Sequence, residues 1–540
     1  MNAQLFQKRC TKAVFCFCCL VVAAVILGLG IASPTGLTGK DEYLLGLRIP
    51  LEMMQDGHWW IPFVDGEPRL KKPPMLYWLG RASFEVFGPS LLAARAITVA
   101  FTLLLLGCTA WLGRYLTGRW KTGLLAAAVL LGMSGMASES RRLMLDVPVA
   151  ALSTAALCCY LSWLDRPRMT TLLGIAACLG AALMTKGPFA FVACGGGMLA
   201  LWAVRQETLS VLRQRWGAHL LMLGLTFALP LFWYLHVDHL YGKELALVAQ
   251  GELEARQIGL SFAVIGGIVT LSLPWSFVAF QGLWSLRHEP RVRFAATWLL
   301  ATLVPFFFIR SFERYLIGSL PALALLAAFA LETDRAAAWG RRLGSLSVAL
   351  PVALLAALLW RWQLGSWWLL ALFVVFFVFV WWRPVSGGRQ FASSPFGLAI
   401  AAALLWSVGW GIAFPALGVN KVPEDVTALA HGKPVILFGD MQPALLPMLE
   451  KRPLRRRLDP PTAPGTLITI RAENRAALDK RLADLNLKTV LRLEYQALIS
   501  AGSGIRFAKA GAKRDDWKQA WNERSPNPLM STVQVFEVLP

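Results

Sequence analysis

Apolar runs long enough to cross a bilayer recur along most of this chain, and no single soluble core could hold them all. A spanning helix needs about 20 mostly apolar residues. Runs of that kind fall near 12–32, 91–113, 122–137, 147–164, 170–185, 188–204, 218–237, 260–284, 294–310, 315–331, 344–360, 366–382 and 395–415. They predict a polytopic α-helical membrane protein with about 13 transmembrane helices over residues 1–415. Composition agrees, since 56% of the 540 residues are hydrophobic and 23 are Trp, well above the level of a soluble helical domain.

A net charge of +21 would point to nucleic acid in a soluble protein. Here the basic residues collect in alternate loops, at Arg114/Arg119/Lys121, Arg166/Arg168, Arg205/Arg213/Arg215, Arg287/Arg291/Arg293, Arg335/Arg341/Arg342 and Arg383/Arg389. That is the inside-positive pattern of a membrane protein, so membrane lipids are the expected surroundings and nucleic acid is not a partner. It predicts a cytoplasmic N-terminus and, after an odd number of spans, an outer C-terminal end. Lys8, Arg9 and Lys12 before the first apolar run imitate a signal peptide. The topology requires that run as an uncleaved helix.

The outer side is organised differently. Its first loop, 33–90, contains two segments with interfacial character: Asp41 to Asp56, and "MLYWLGRASFEVFG" after "KKPP". A later outer loop, "VDHLYGKELALVAQGELEARQ", reads as a further amphipathic segment. Beyond Pro415 no spanning run remains. "KPVILFGD", "GTLITIRAE", "KTVLRLEY" and "STVQVFEVL" read as strands and "ENRAALDKRLADLN" as a helix, which predicts a C-terminal small α/β soluble domain over 416–540. The nine cysteines lie in or beside the early apolar segments, none in 416–540, and none has zinc-site spacing with histidine.

Ionisable residues at membrane edges are costly and point to function. Asp41 and Glu42 open the first loop, and Arg69, Lys71 and Lys72 follow in it. "SESRRLMLDVP" places Glu139, Arg141, Arg142 and Asp146 together, "MTKGP" places Lys186 in a tight turn, and "IRSFERYL" carries Arg310, Glu313, Arg314 and Tyr315. Glu252, Glu254 and Arg256 sit in the later outer loop. All belong to one side, so they are expected to converge on one cavity. Lys and Arg suit a phosphate, and a carboxylate among them suits a general base. Each also has a plainer reading. Asp41–Glu42 and Asp146 would serve as helix caps, Lys71 and Lys72 would snorkel to headgroups, and Arg141 and Arg142 would be ordinary helix-end charges. Lys186 is hardest to read that way, because a lone outer lysine opposes the orientation rule. The tryptophans Trp360, Trp362, Trp367 and Trp368 read as an interface belt.

At these residues the chain resembles a known family. "DEYLLGLRIPLEMMQDGHWWIPFVDGEPRLKKPPMLYWLGRASFEVFG", "MLDVPVA", "LMTKGPFAFV", "LPW" and "SFERYLIGSLPALALL" look like the GT-C-fold glycosyltransferases that use polyprenyl-phosphate sugars. The nearest group is the lipid A 4-amino-4-deoxy-L-arabinose transferases (ArnT-type), with the protein O-mannosyltransferases further off. The resemblance implies inverting sugar transfer from a polyprenyl-phosphate-linked donor to a lipid A-like glycolipid or a protein at the periplasmic face of the bacterial inner membrane. It implies Asp41 as base, with Glu42 and Asp146 as the other acidic members. Arg69, Lys72, Lys186, Arg256, Arg314 and Tyr315 would hold the donor phosphate. Some relatives carry a divalent metal ion near the acidic residues, whereas this sequence defines no metal site. The chain departs from the ArnT pattern at "YLLG", where Arg-Tyr is usual, and at Lys71, where an acidic residue is usual. A lipid or sugar transporter is the alternative of another class. Clean spans, the lack of an internal repeat and charges gathered at one face favour the enzyme.

Overall fold

The computed structural model describes residues 18–35, 40–204, 207–254, 258–309, 311–333, 337–383, 394–439, 458, 462–499, 508–509 and 511–540. Arg256 and Arg310 lie outside the described residues, as do Arg205, Arg335, Arg389 and the start of the first expected span.

Among the described residues, each of the thirteen apolar runs overlaps a helical segment. The first is α1 (Cys18–Gly28). The outer loop then forms α2, which runs from Lys40–Glu42 through a π-helical stretch, Tyr43–Arg48, into Ile49–Gln55. A two-stranded hairpin, β1 (Phe63–Val64) and β2 (Glu67–Pro68), turns through Asp65 and Gly66, both at positive φ, as such a tight hairpin turn requires. Next come α3 (Met75–Phe87), α4 (Leu91–Thr117), α5 (Trp120–Leu131), α6 (Asp146–Asp165), α7 (Met169–Lys186), α8 (Ala190–Val204) and α9 (Trp216–Glu254). They are followed by α10 (Ala263–Ser272), α11 (Ser276–Ser285), α12 (Pro290–Phe308), α13 (Leu320–Leu331), α14 (Ala338–Arg361), α15 (Trp367–Trp382) and α16 (Pro395–Val408).

Local sequence sets these boundaries. Ser90 caps α4 by accepting from the Ala93 amide at 3.1 Å, and Gly118 ends it in the left-handed conformation. Gly187, at φ +62°, breaks the chain between α7 and α8 and leaves Lys186 on the last turn of α7. Among the described residues, eight helical stretches have the length and composition to cross a membrane, with α7 and α8 taken together as one, or nine if the bent pair α10–α11 is one span. That pair corrects one expectation. The run 260–284 is not a clean span, because its halves meet at 103° around the "LPW" stretch. The amphipathic segment after the 218–237 run is helical and continues α9 beyond a kink at Tyr241.

Burial sorts the helices. The spanning windows of α6 and of Glu313–Leu331 are 83% buried in protein, against 22% for α9. Every residue of α13 is buried, as expected for a helix apolar on all sides at the centre of a bundle. A glycine pair brings α1 against the stretch after α16. A Cβ on Gly411 would stand 2.3 Å from the Leu29 carbonyl oxygen, so only glycine allows that approach.

The C-terminal part is a four-stranded mixed sheet in the order β3-β4-β6-β5, made of β3 (Val435–Leu437), β4 (Leu467–Arg471), β5 (Thr489–Ala497) and β6 (Ser531–Val538). The β3–β4 pair is parallel and the others are antiparallel. Period-two alternation gives the sheet two apolar faces. One, with Ile436, Ile468, Ile470 and Phe536, packs on Leu478 and Leu482 of α17 (Arg475–Asp484). The other, with Val435, Leu437, Leu467 and Val535, joins Val426 and Ala430 of the helix Glu424–Ala430 and Tyr43, Leu47 and Leu51 of α2 in one apolar cluster. A last helix, α18 (Arg514–Asn522), reaches the membrane helices, where Trp362 Nε1 donates to the Ala520 carbonyl at 3.2 Å.

Candidate active site

Helix ends build the site. Asp41 lies at the start of α2, Asp146 opens α6, Lys186 closes α7, and Arg314 and Tyr315 lie in the 3-10 turn that leads into α13. Arg314 bridges the two aspartates. Its Nη2 donates to Asp41 Oδ2 at 2.9 Å and its Nε stands 3.3 Å from Asp146 Oδ2. The other oxygen of Asp146 takes the Lys186 ammonium. That ammonium lies 3.4 Å from the centre of the Tyr315 ring, a cation–π contact that fixes it from the apolar side. Asp146, Lys186 and Arg314 are buried, whereas the Asp41 side chain is 30% exposed. Asp41 is therefore the carboxylate of this group that is open to solvent, and its Oδ1 has no partner among the described residues.

A second set of cations stands beside this group. Lys71 and Lys72 meet Glu252, near the far end of α9, at 2.8 Å and 3.5 Å. Burial pushes the Lys72 ammonium below its usual value, and repulsion from Lys71 and Arg69 adds to this against the pull of Glu252. Arg69 makes no ion pair among the described residues, and its Nε is buried without a partner. The fields of Asp146, Arg314, Asp41 and Glu252 all reach the Tyr315 hydroxyl, so the two sets share one space.

Glu42 faces away from this space. It is fully buried and takes Arg95 in a bidentate pair, Nε to Oε1 at 2.9 Å and Nη2 to Oε2 at 3.0 Å, while the Leu143 amide donates to Oε1 at 3.0 Å. Its oxygens are committed, which leaves it no role as a base and makes it a strut between α2, α4 and the α5–α6 connection. Arg95 was not singled out in the sequence. The available signal was a lone arginine at the start of a long apolar run. Through Nη1 it also donates to the carbonyls of Ile31 and Ser33 at 2.8 and 3.0 Å, and Arg141 donates through Nη2 and Nε to those of Ile26 and Leu29. The two arginines thus satisfy carbonyls left open in the last turn of α1 and just beyond it. Arg142 pairs with Glu139 at 3.1 Å. Burial lowers its guanidinium, but Glu139, Glu42, Asp41 and Asp146 together hold it above its usual value.

The donor set fits a metal poorly. Both aspartates already take Arg314, Lys186 holds Asp146, and no group of three His, Cys, Asp or Glu side chains comes together among the described residues. What the arrangement can do is receive a phosphate on its lysines and arginines and present one reachable carboxylate beside it.

Residues 47–244 match the family model described as dolichyl-phosphate-mannose-protein mannosyltransferase. An undecaprenyl phosphate-alpha-4-amino-4-deoxy-L-arabinose arabinosyl transferase of Pseudomonas paraeruginosa is 28% identical over 371 residues, 63% of this chain and 64% of that protein. An uncharacterized protein of Aquifex aeolicus is 28% identical over 294 residues, 52% of this chain and 57% of the other. The chain thus spans less than two thirds of the length of these curated relatives. Among solved structures, ArnT from Cupriavidus metallidurans bound to undecaprenyl phosphate shares the fold with a TM-score of 0.70 over 88% of this chain and 95% of that one, at 19% identity. The fold is that of the GT-C glycosyltransferases, a class of multi-pass membrane proteins. Within it this chain resembles the ArnT-type transferases and, in its residues 47–244, the protein mannosyltransferases.

Proposed function

We propose that the chain transfers a sugar, with inversion, from a polyprenyl-phosphate donor to a lipid A-like glycolipid or another envelope acceptor at the periplasmic face of the bacterial inner membrane. The observation that carries this reading is one partly exposed carboxylate, Asp41, joined through Arg314 to a buried Asp146–Lys186 pair and flanked by Lys72. The acceptor oxygen attacks C1 of the sugar as the bond from C1 to the phosphate oxygen breaks. Asp41 takes the acceptor proton and the polyprenyl phosphate leaves with the bonding electrons. Lys72, Lys186, Arg314 and Arg69 balance the charge that develops on it. The Lys72 ammonium, lowered by burial and by the neighbouring cations, supports a phosphate at this place, because an arriving anion favours its charged form. Arg256 belongs to the same proposal from its sequence position. Residues 416–540 are proposed as a periplasmic domain that holds the first loop over the site.

The test is mass spectrometry of envelope glycolipids from cells lacking the gene, complemented with the wild type or with Asp41→Asn. The expected result is a lipid A species that loses one sugar mass and regains it with the wild type alone, while Asp41→Asn accumulates as an inserted, folded protein. Full restoration by Asp41→Asn would remove that residue from the mechanism. A protein acceptor is the second reading, favoured by the mannosyltransferase match over residues 47–244. It predicts an unchanged lipid A profile and loss of a sugar from envelope glycoproteins.

A further inference from the structure

Where α14 turns into α15, a cavity of about 350 Å³ opens against the C-terminal end of α18, lined by Trp360, Arg361, Gln363, Trp367 and Arg524. None of these three helices supplies a residue to the Asp41–Arg314–Asp146 group. The walls are fixed. Arg361 Nε donates to the Trp521 carbonyl at 2.8 Å, and Trp362 Nε1 donates to that of Ala520, so both cap the last turn of α18. Trp360 and Trp367 face each other edge to face at 6.5 Å. The Arg524 side chain has no ion pair or hydrogen bond among the described residues.

The backbone supplies an independent observation. Among the described residues, five other than glycine have positive φ: Asp65, Gln363, Asn420, Asn486 and Arg524. Asp and Asn enter that region readily, whereas other residues do so at a steric cost. Gln363 and Arg524 are the two exceptions, each at 54° and each one residue past a helix cap, where glycine is usual. Both line this cavity. Two helix ends therefore carry a polar side chain, at the expense of backbone ease, at the same spot.

We propose that this cavity binds the phosphate headgroup of an anionic bilayer phospholipid. The Arg361–Gln363–Arg524 rim offers guanidinium and amide donors to phosphate oxygens. Trp360 and Trp367 bracket the glycerol at the depth where tryptophan favours the interface. Leu350, Leu354 and Leu372, exposed on α14 and α15, supply the apolar surface along which acyl chains run. A cavity of this volume lies at the small end of ligand pockets, which suits a headgroup whose chains stay in the bilayer. Because α14, α15 and α18 supply no residue to the aspartate group, bulk phospholipid is favoured over the acceptor as the source.

The experiment is native mass spectrometry of the full chain in mild detergent, titrated separately with phosphatidylglycerol, phosphatidylcholine and a phosphorylated, acylated glucosamine disaccharide. The wild type is expected to retain one phosphatidylglycerol at concentrations where phosphatidylcholine is lost. Arg524→Gly is expected to weaken that binding about tenfold, and Arg524→Lys to keep most of it. Glycine suits the backbone there, so the thermal unfolding midpoint of Arg524→Gly without added lipid should stay level or rise, which separates lost binding from lost folding. Equal binding of phosphatidylglycerol by wild type and Arg524→Gly would overturn the proposal. So would equal retention of phosphatidylcholine, or an Arg524-dependent preference for the glycolipid.

Discussion

Glu42 and Asp41 are neighbours with opposite fates, and the difference lies in their partners. Burial alone would raise the Glu42 carboxyl. The Arg95 pair, Arg142 and the Leu143 amide more than reverse this and hold it below its usual value. A carboxyl lowered in the folded state supports the fold in full above its unfolded value, and that support is lost as pH falls through the lowered one. Glu42→Gln is expected to cost about 3–5 kcal/mol at neutral pH, because it leaves the Arg95 guanidinium buried without its counter-charge. It should also flatten the acid limb of the stability curve. Thermal unfolding in detergent from pH 7 down to pH 3 reads both, and an unchanged acid limb would contradict the pairing. In the sequence the two acids were indistinguishable, since adjacency fixes neither direction nor partner. Arg95, whose position decides Glu42, lies 53 residues away.

At the scale of elements, hydropathy placed the helices well. The runs near 91–113, 147–164 and 344–360 match α4, α6 and α14, and the four strand segments match β3 to β6. Hydropathy has no sense of direction, so the 103° bend between α10 and α11 and the continuation of α9 past Tyr241 were not legible. Close approaches were hidden for a related reason, because one glycine in an apolar run looks like another. Gly411 meets the Leu29 carbonyl, whereas a Cβ on Gly28 would meet nothing within 4 Å. Gly411→Val is therefore expected to force α1 away and destabilise the protein by about 1–3 kcal/mol through overpacking. Gly28→Ala should be close to neutral. Comparing the unfolding midpoints of the two variants checks this, and equal midpoints would count against a tight crossing.

Over the whole molecule, the first loop is a shared layer. Through Tyr43, Leu47 and Leu51 it shares one apolar cluster with the sheet and the helix Glu424–Ala430, and it is tied by Glu42 to α4. The sequence predicts a loop, a sheet and a set of charges on one side. It did not show that the sheet presses on the loop, because contacts between distant segments leave no local pattern. Removal of residues 421–540 is expected to leave the membrane helices inserted while α2 loses its apolar cover. Amide exchange across residues 43–53 should then rise by orders of magnitude, and transfer should fail although Asp41 remains. Unchanged protection there would show that the sheet is dispensable to the loop. The strand order β3-β4-β6-β5 has a consequence in time. β6 lies between β4 and β5 and is synthesised after both, and its Val535 touches the apolar face that covers α2. On the proposed topology the helix bundle is threaded into the membrane long before that strand is exported. On that topology the aspartate carried by α2 is expected to gain its final support only when β6 arrives, so a chain halted before β6 is expected to be embedded in the bilayer without transferase activity.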